Sequence, residues 1–135
     1  MVDEKWRVKA RLETYDPPKK LEIANMLGQV SPTDCPGALV FNIAGNEYRL
    51  DPMGKPEDKS YFLIFTDETS GRETYGAGRY LSVNAPDSTG TIYIEFNKAY
   101  NPPCAFSPFA TCPLPPKQNH IPIKIRAGEK DYGHH

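Results

Sequence analysis

The segment FTDETSGRETYGAGRYL, residues 65–81, gathers Asp67, Glu68, Arg72, Glu73, Tyr75 and Arg79 among glycines at 71, 76 and 78. Carboxylates, guanidinium groups and a phenol this close in sequence could hold an anion or exchange protons. The glycines let backbone approach a ligand or take positive φ. A solvated loop turned by its glycines accounts for the same residues. GAGRYL is too short, and lacks the following helix, for a nucleotide-binding glycine motif. Further on, TIYIEFN puts Ile92, Ile94 and Phe96 on one face and Tyr93, Glu95 and Asn97 on the other. That second face either meets solvent or lines a wet pocket. In a pocket, Arg79 would hold Glu95 ionised and oriented, with Tyr75 beside it, and Glu73 with Glu95 could share acid and base roles.

Next comes NPPCAFSPFATCPLPP, residues 101–116, with six of the fourteen prolines and two of the three cysteines. Cys104 and Cys112 lie eight residues apart, within reach of a disulfide if the chain reverses. Structural zinc would want closer ligand spacing, and a cysteine nucleophile would want a base, for which the sequence supplies only His120. Residues 131–135 read as a tail and its two histidines are set aside, so His120 is the single internal histidine. The reading these facts favour is a pair of free thiols, buried beside Phe106 and Phe109 under a proline-stiffened cover.

Short strands must position these groups. WRVKARLE alternates Trp6, Val8, Ala10 and Leu12 against charged residues, the pattern of a half-buried strand. KKLEIANML repeats it after the turn YDPP; ALVFNI and EYRLD flank a hairpin turn expected at Gly45-Asn46; SYFLIF, GRYLSV, TIYIEFN and HIPIKIR follow. No window carries apolar residues at helical spacing, and prolines and glycines interrupt the chain every few residues. The expected fold is all-β: one domain over residues 1–130, about eight short, mostly antiparallel strands in a small barrel or sandwich, with one long proline-rich loop.

A net charge of −1 supplies no basic field for nucleic acid. No run approaches the ~18 apolar residues of a membrane span, and the amino end has no signal-peptide core. These features point to a cytoplasmic protein with neither nucleic-acid nor membrane partners, and in a reducing cytosol cysteines stay as thiols. Nothing in the sequence sets an oligomeric state.

TDETSGRETYGAGRYL and IEFNKAYNPPCAFSPFATCPLPPKQNHIPIKIRAGEK closely resemble domain-of-unknown-function family 1684 of bacteria and archaea, most clearly over residues 61–130. The pattern falls on Asp67, Thr69, Ser70, Gly71, Glu73, Tyr75, Gly78, Arg79 and Tyr80, then on Phe96, Asn97, Tyr100 through Cys104, Phe106, and Thr111 through Pro113. Glu95 stands where the family residue looks like Asp, which disfavours a strict acid–base role, since one more methylene displaces the carboxylate. The resemblance implies no activity or cofactor. The preferred expectation is a small-molecule-binding domain without metal or cofactor. Its pocket is edged by Tyr75, Arg79, Glu95, Asn97, Tyr100 and Asn101, with Asp67, Glu73, Cys104 and Cys112 nearby, under the proline segment. The rivals are a cofactor-independent, hydrolase-like enzyme using a carboxylate or Cys104, and a structural network that pins the long loop.

Overall fold

The computed structural model describes residues 4–74, 76–102 and 112–130. After a single 3-10 turn at Glu4–Trp6, seven strands follow among the described residues: β1 (Arg7–Ala24), β2 (Val30–Ile43), β3 (Asn46–Leu50), β4 (Ser60–Asp67), β5 (Arg79–Asn84), β6 (Ile92–Glu95) and β7 (His120–Ile121). Among the described residues there is no α-helix, as the punctuation of the sequence requires, and so no helix long and apolar enough to cross a membrane.

WRVKARLE and KKLEIANML belong to one long strand. Prolines 17 and 18 have no N–H to donate, so the antiparallel ladder between β1 and β2 skips them and its register shifts between Thr14 and Lys19. Opposite the break, Gly37 lies so close that a Cβ there would stand 2.8 Å from the Thr14 Cα. The β2–β3 hairpin turns at Ala44-Gly45, one residue before the expected position, with φ of 52° and 83°. Positive φ at both central residues is what a tight hairpin twisted like its strands demands.

The strands form a four-stranded sheet in the order β3-β2-β1-β6 and a three-stranded sheet in the order β5-β4-β7. All pairings are antiparallel except β4 with β7. The principal core lies between the sheets. Val8, Ala10, Leu39, Phe41 and Ile94 of one meet Leu63, Phe65, Leu81, Val83 and Ile121 of the other. Each of the larger side chains, Ala10 excepted, stabilises the fold by roughly 1.5–3 kcal/mol on full burial. Edges β5 and β6 are not hydrogen-bonded to each other, so the sheets stay open and the barrel alternative falls to a sandwich. HIPIKIR contributes only His120–Ile121 as strand; its remaining residues are loop, held as described below.

Candidate functional site

Strand alternation sends Leu63, Phe65 and Asp67 of β4 inward, and Asp67 ends 1% exposed. Arg79 pairs across the ladder with Phe65, its guanidinium 5.2 Å from the ring centroid, and is equally buried. Its Nη2 stands 3.6 Å from Asp67 Oδ2 and donates to the Ile125 carbonyl at 3.1 Å, while Nη1 donates to the Ala127 carbonyl. Burial pulls the guanidinium below its usual pKa, and the Asp67 charge opposes that pull. Asp67 accepts from the Ile125 N–H and from the hydroxyls of Thr69 and Ser70. Three amides, of Arg72, Glu73 and Thr74, donate to the Thr69 carbonyl, which coils TSGRET tightly around the carboxylate. The pair therefore straps two loop segments, residues 68–74 and 122–127, to the end of the small sheet. The carboxyl strap continues at Gly128 (φ 78°), where a Cβ would fall 2.9 Å from the Phe96 carbonyl. Next to it, Glu129 Oε1 and the Lys130 carbonyl accept from Asn101 N–H and Nδ2.

The other expected site residues that are described are spread out rather than gathered on one cavity. Glu73 pairs with Arg126 on the surface at 3.1 Å. Glu95 ends β6 and caps the 3-10 turn Phe96–Lys98: its Oε1 accepts from the backbone and side chain of Asn97, and its Oε2 stands 3.9 Å from Arg7 Nε. Because that turn replaces the end of the expected strand, Asn97 does not extend the face of Glu95. Glu95 lines a groove of about 490 Å³ between β5 and β6, with Arg7, Ser82, Asn84, Asp87, Tyr93 and Lys98 among its walls. Tyr100, half exposed, meets Tyr80 edge-on at 5.8 Å. Tyr75 and Cys104, like Phe106 and Phe109, lie outside the described residues.

Cys112 is disulfide-bonded and Cys35 is a free thiol, which corrects the expectation of a free thiol at Cys112; Cys104 lies outside the described residues. A spacing of eight residues permits the chain reversal a disulfide needs, and only the supposed cytosolic setting spoke against it. Cys112 packs with Ile64 and Tyr80 on the outer side of the small sheet. Cys35 is wholly buried, and burial pushes its thiol up to about 11.

The groups with chemical capacity that do converge are on the outer face of β4. Thr66 and His120 are direct neighbours in the parallel β4–β7 ladder, a pairing of residues far apart in sequence. Thr66 Oγ1 lies 2.8 Å from His120 Nδ1, and His120 Nε2 lies 2.8 Å from Glu68 Oε2. The carboxylate only accepts, so a neutral imidazole carries its proton on Nε2 and receives the Thr66 hydroxyl proton at Nδ1. These residues, with Asp67, Ser70, Arg72, Gly76 and Lys124, line a cleft of about 460 Å³. Asp67 is committed inward to Arg79, and Glu68 to His120. Arg72 and Lys124 form no ion pair among the described residues, so the cleft holds two cations without an ion-pair partner there, beside a Glu68 carboxylate whose hydrogen bond goes to His120. Sequence reasoning missed Thr66 and Lys124 and discounted His120. The signal that could have found them was the coincidence of the single internal histidine with a loop already rich in charge.

Fold and cleft together define a small two-sheet β sandwich with a polar cleft at the end of its smaller sheet. The chain belongs to the DUF1684 family, a protein family of unknown function whose model matches residues 1–130, beyond the carboxyl half in which the resemblance is plainest. It is similar in structure to an uncharacterized protein of Haloarcula marismortui solved by solution NMR. The two are 30% identical with a TM-score of 0.78, over 98% of this chain and 75% of that one. No curated protein matches the chain.

Proposed function

We propose that this domain binds a small anionic molecule in the cleft beside β4. The observation that carries the reading is the pair of cations, Arg72 and Lys124, that have no carboxylate partner among the described residues, on the wall that also presents His120 and Ser70. A guanidinium offers two parallel donors to a carboxylate or phosphate, an ammonium adds a point charge, and both cations stand on loops already strapped to the sheet. Arg79, the arginine expected to hold the anion, supports the cleft from beneath, because its charge is spent on Asp67 and two carbonyls. The disulfide at Cys112 favours an oxidising setting for this binding over the cytoplasm.

Titration of the ¹⁵N-labelled protein with glutarate, and separately with inorganic phosphate, tests this. Amide signals of Thr66, Glu68, Ser70, Arg72, His120 and Lys124 are expected to shift and saturate together. Arg72→Ala and Lys124→Ala should each weaken binding roughly five- to tenfold, and added salt should weaken it further. Shifts that are absent, or that both variants leave unchanged, would refute the proposal.

A further inference from the structure

We propose that Thr66, His120 and Glu68 form a hydroxyl-activating relay that hydrolyses small anionic carboxylic esters in this cleft, with Thr66 Oγ1 as the nucleophile. The proposal rests on the anion-binding reading for the seat of the substrate's charge, and on separate geometry for its chemistry. A hydroxyl, an imidazole and a carboxylate stand in line at 2.8 Å and 2.8 Å, the arrangement by which a weak hydroxyl nucleophile is activated. The tautomer follows from the same contacts: Nε2–H faces the carboxylate and the Nδ1 lone pair faces the hydroxyl.

The relay is held from below. His120 sits between Asn119 and Ile121, each 1% exposed. The Asn119 side chain accepts from the Asp51 N–H at 2.8 Å and donates to the carbonyls of Asp51 at 2.8 Å and Ile64 at 3.0 Å. Thr66 N–H donates to the Asn119 carbonyl, and Glu68 N–H to the Ile123 carbonyl, each at 2.9 Å. Every backbone that carries a relay group is thus fixed by a buried neighbour or a ladder bond, although the His120 and Glu68 side chains themselves are 43% and 50% exposed to the cleft and solvent. Positioning of this kind is what a nucleophile–base pair requires.

In the first step Thr66 Oγ1 bonds to the ester carbonyl carbon while its proton passes to His120 Nδ1, and the carbonyl π pair moves onto oxygen. Glu68 stabilises the imidazolium, and Arg72 and Lys124 are the groups in the cleft able to oppose the new negative charge. Collapse of the adduct breaks the bond to the alkoxide, which takes the proton from Nδ1 and leaves as the alcohol. Water then adds to the acyl-threonine, giving its proton to Nδ1. That proton returns to Oγ1 as the acyl–oxygen bond breaks and the acid departs.

The test uses the full chain with mono-4-nitrophenyl glutarate as the anionic ester and 4-nitrophenyl acetate as the neutral one. The expected result is turnover that falls at least tenfold in Thr66→Val, His120→Asn and Glu68→Gln, is retained in Thr66→Ser, and favours the anionic ester. A quenched reaction should show glutaryl mass on the peptide containing Thr66. Glutarate binding, read by the same amide shifts, should survive in Thr66→Val, which separates chemistry from binding. Turnover that needs His120 but is unchanged in Thr66→Val is simple imidazole catalysis and overturns the relay, as does the absence of turnover while glutarate still binds. Thr66-dependent turnover with no preference for the anionic ester would sustain the relay and overturn the anion seat.

Discussion

Deleting the Arg79 side chain should cost this fold about 4 kcal/mol. Removal of one partner from a buried ion pair leaves the other charge uncompensated, a change worth about 3–5 kcal/mol. In Arg79→Ala the stranded group is Asp67, 1% exposed, and the carbonyls of Ile125 and Ala127 lose their donors as well. Against the roughly 5–15 kcal/mol by which ordinary domains are stable, the variant keeps a small margin or none. The chain reports on itself: Trp6 is its only tryptophan and is 7% exposed in the principal core. Urea unfolding followed by Trp6 fluorescence should show the midpoint lower by about 2 M at a slope of about 2 kcal/mol per M. The double variant Asp67→Asn/Arg79→Met should be less damaged than the sum of its single variants, with a coupling of at least ~1 kcal/mol. Hydrogen exchange should report the local event, since the Ile125 amide is bonded to Asp67 and would lose protection ahead of β2. An Arg79→Ala protein within about 1 kcal/mol of the parent, with Ile125 still protected, would refute the account of this pair as the strap of the carboxyl segment.

Two further outcomes follow from titratable groups. Cys35, with its thiol pushed up to about 11 by burial, should resist alkylation in the native protein at pH 8 and react only on unfolding; rapid native labelling would show that it is accessible. Tyr15 is raised to about 12, first by burial and then by its 2.7 Å hydrogen bond to Asp51. A folded pKa above the unfolded value of about 10 gives a contribution fully present below pH 10 and lost as pH climbs toward 12. Urea midpoints of the parent should therefore fall over that window more steeply than those of Tyr15→Phe, and parallel profiles would contradict the assignment.

How much of this was legible in the sequence depends on the range of the interaction. Alternation in WRVKARLE placed Val8 and Ala10 in the core, and the glycine-rich turn before EYRLD marked its hairpin, because pleat and turn are local. HIPIKIR misled for a physical reason. Ile121 and Ile125 are buried as alternation suggests, yet beyond Ile121 the backbone is held by Asp67 and Arg79 instead of a ladder. Asp67 itself sits on the inward parity of β4, a position normally filled by an apolar residue, so its charge read as part of a ligand-binding loop beyond the strand. The cleft was least visible. Thr66 meets His120 through a parallel pairing across 54 residues of chain, and no local pattern encodes that register.

β4 joins the two halves of this account. Its inward parity delivers Asp67 to the buried pair, while its outward parity delivers Thr66 to the cleft, with Glu68 following at the strand's end. The loops that carry Arg72 and Lys124 are the same loops the buried pair straps down: Arg72 N–H bonds to the Thr69 carbonyl beneath Asp67, and Lys124 precedes the Ile125 amide that Asp67 holds. A sandwich of this size can therefore keep two cations poised without carboxylate partners among the described residues, because their backbones are fixed by a charge pair that solvent does not reach. Loosening that pair by Asp67→Asn, in a protein still folded, should weaken glutarate binding at the cleft although Asp67 offers the ligand no free oxygen. Unaltered affinity in such a variant would mean that the cleft is held independently of the strap.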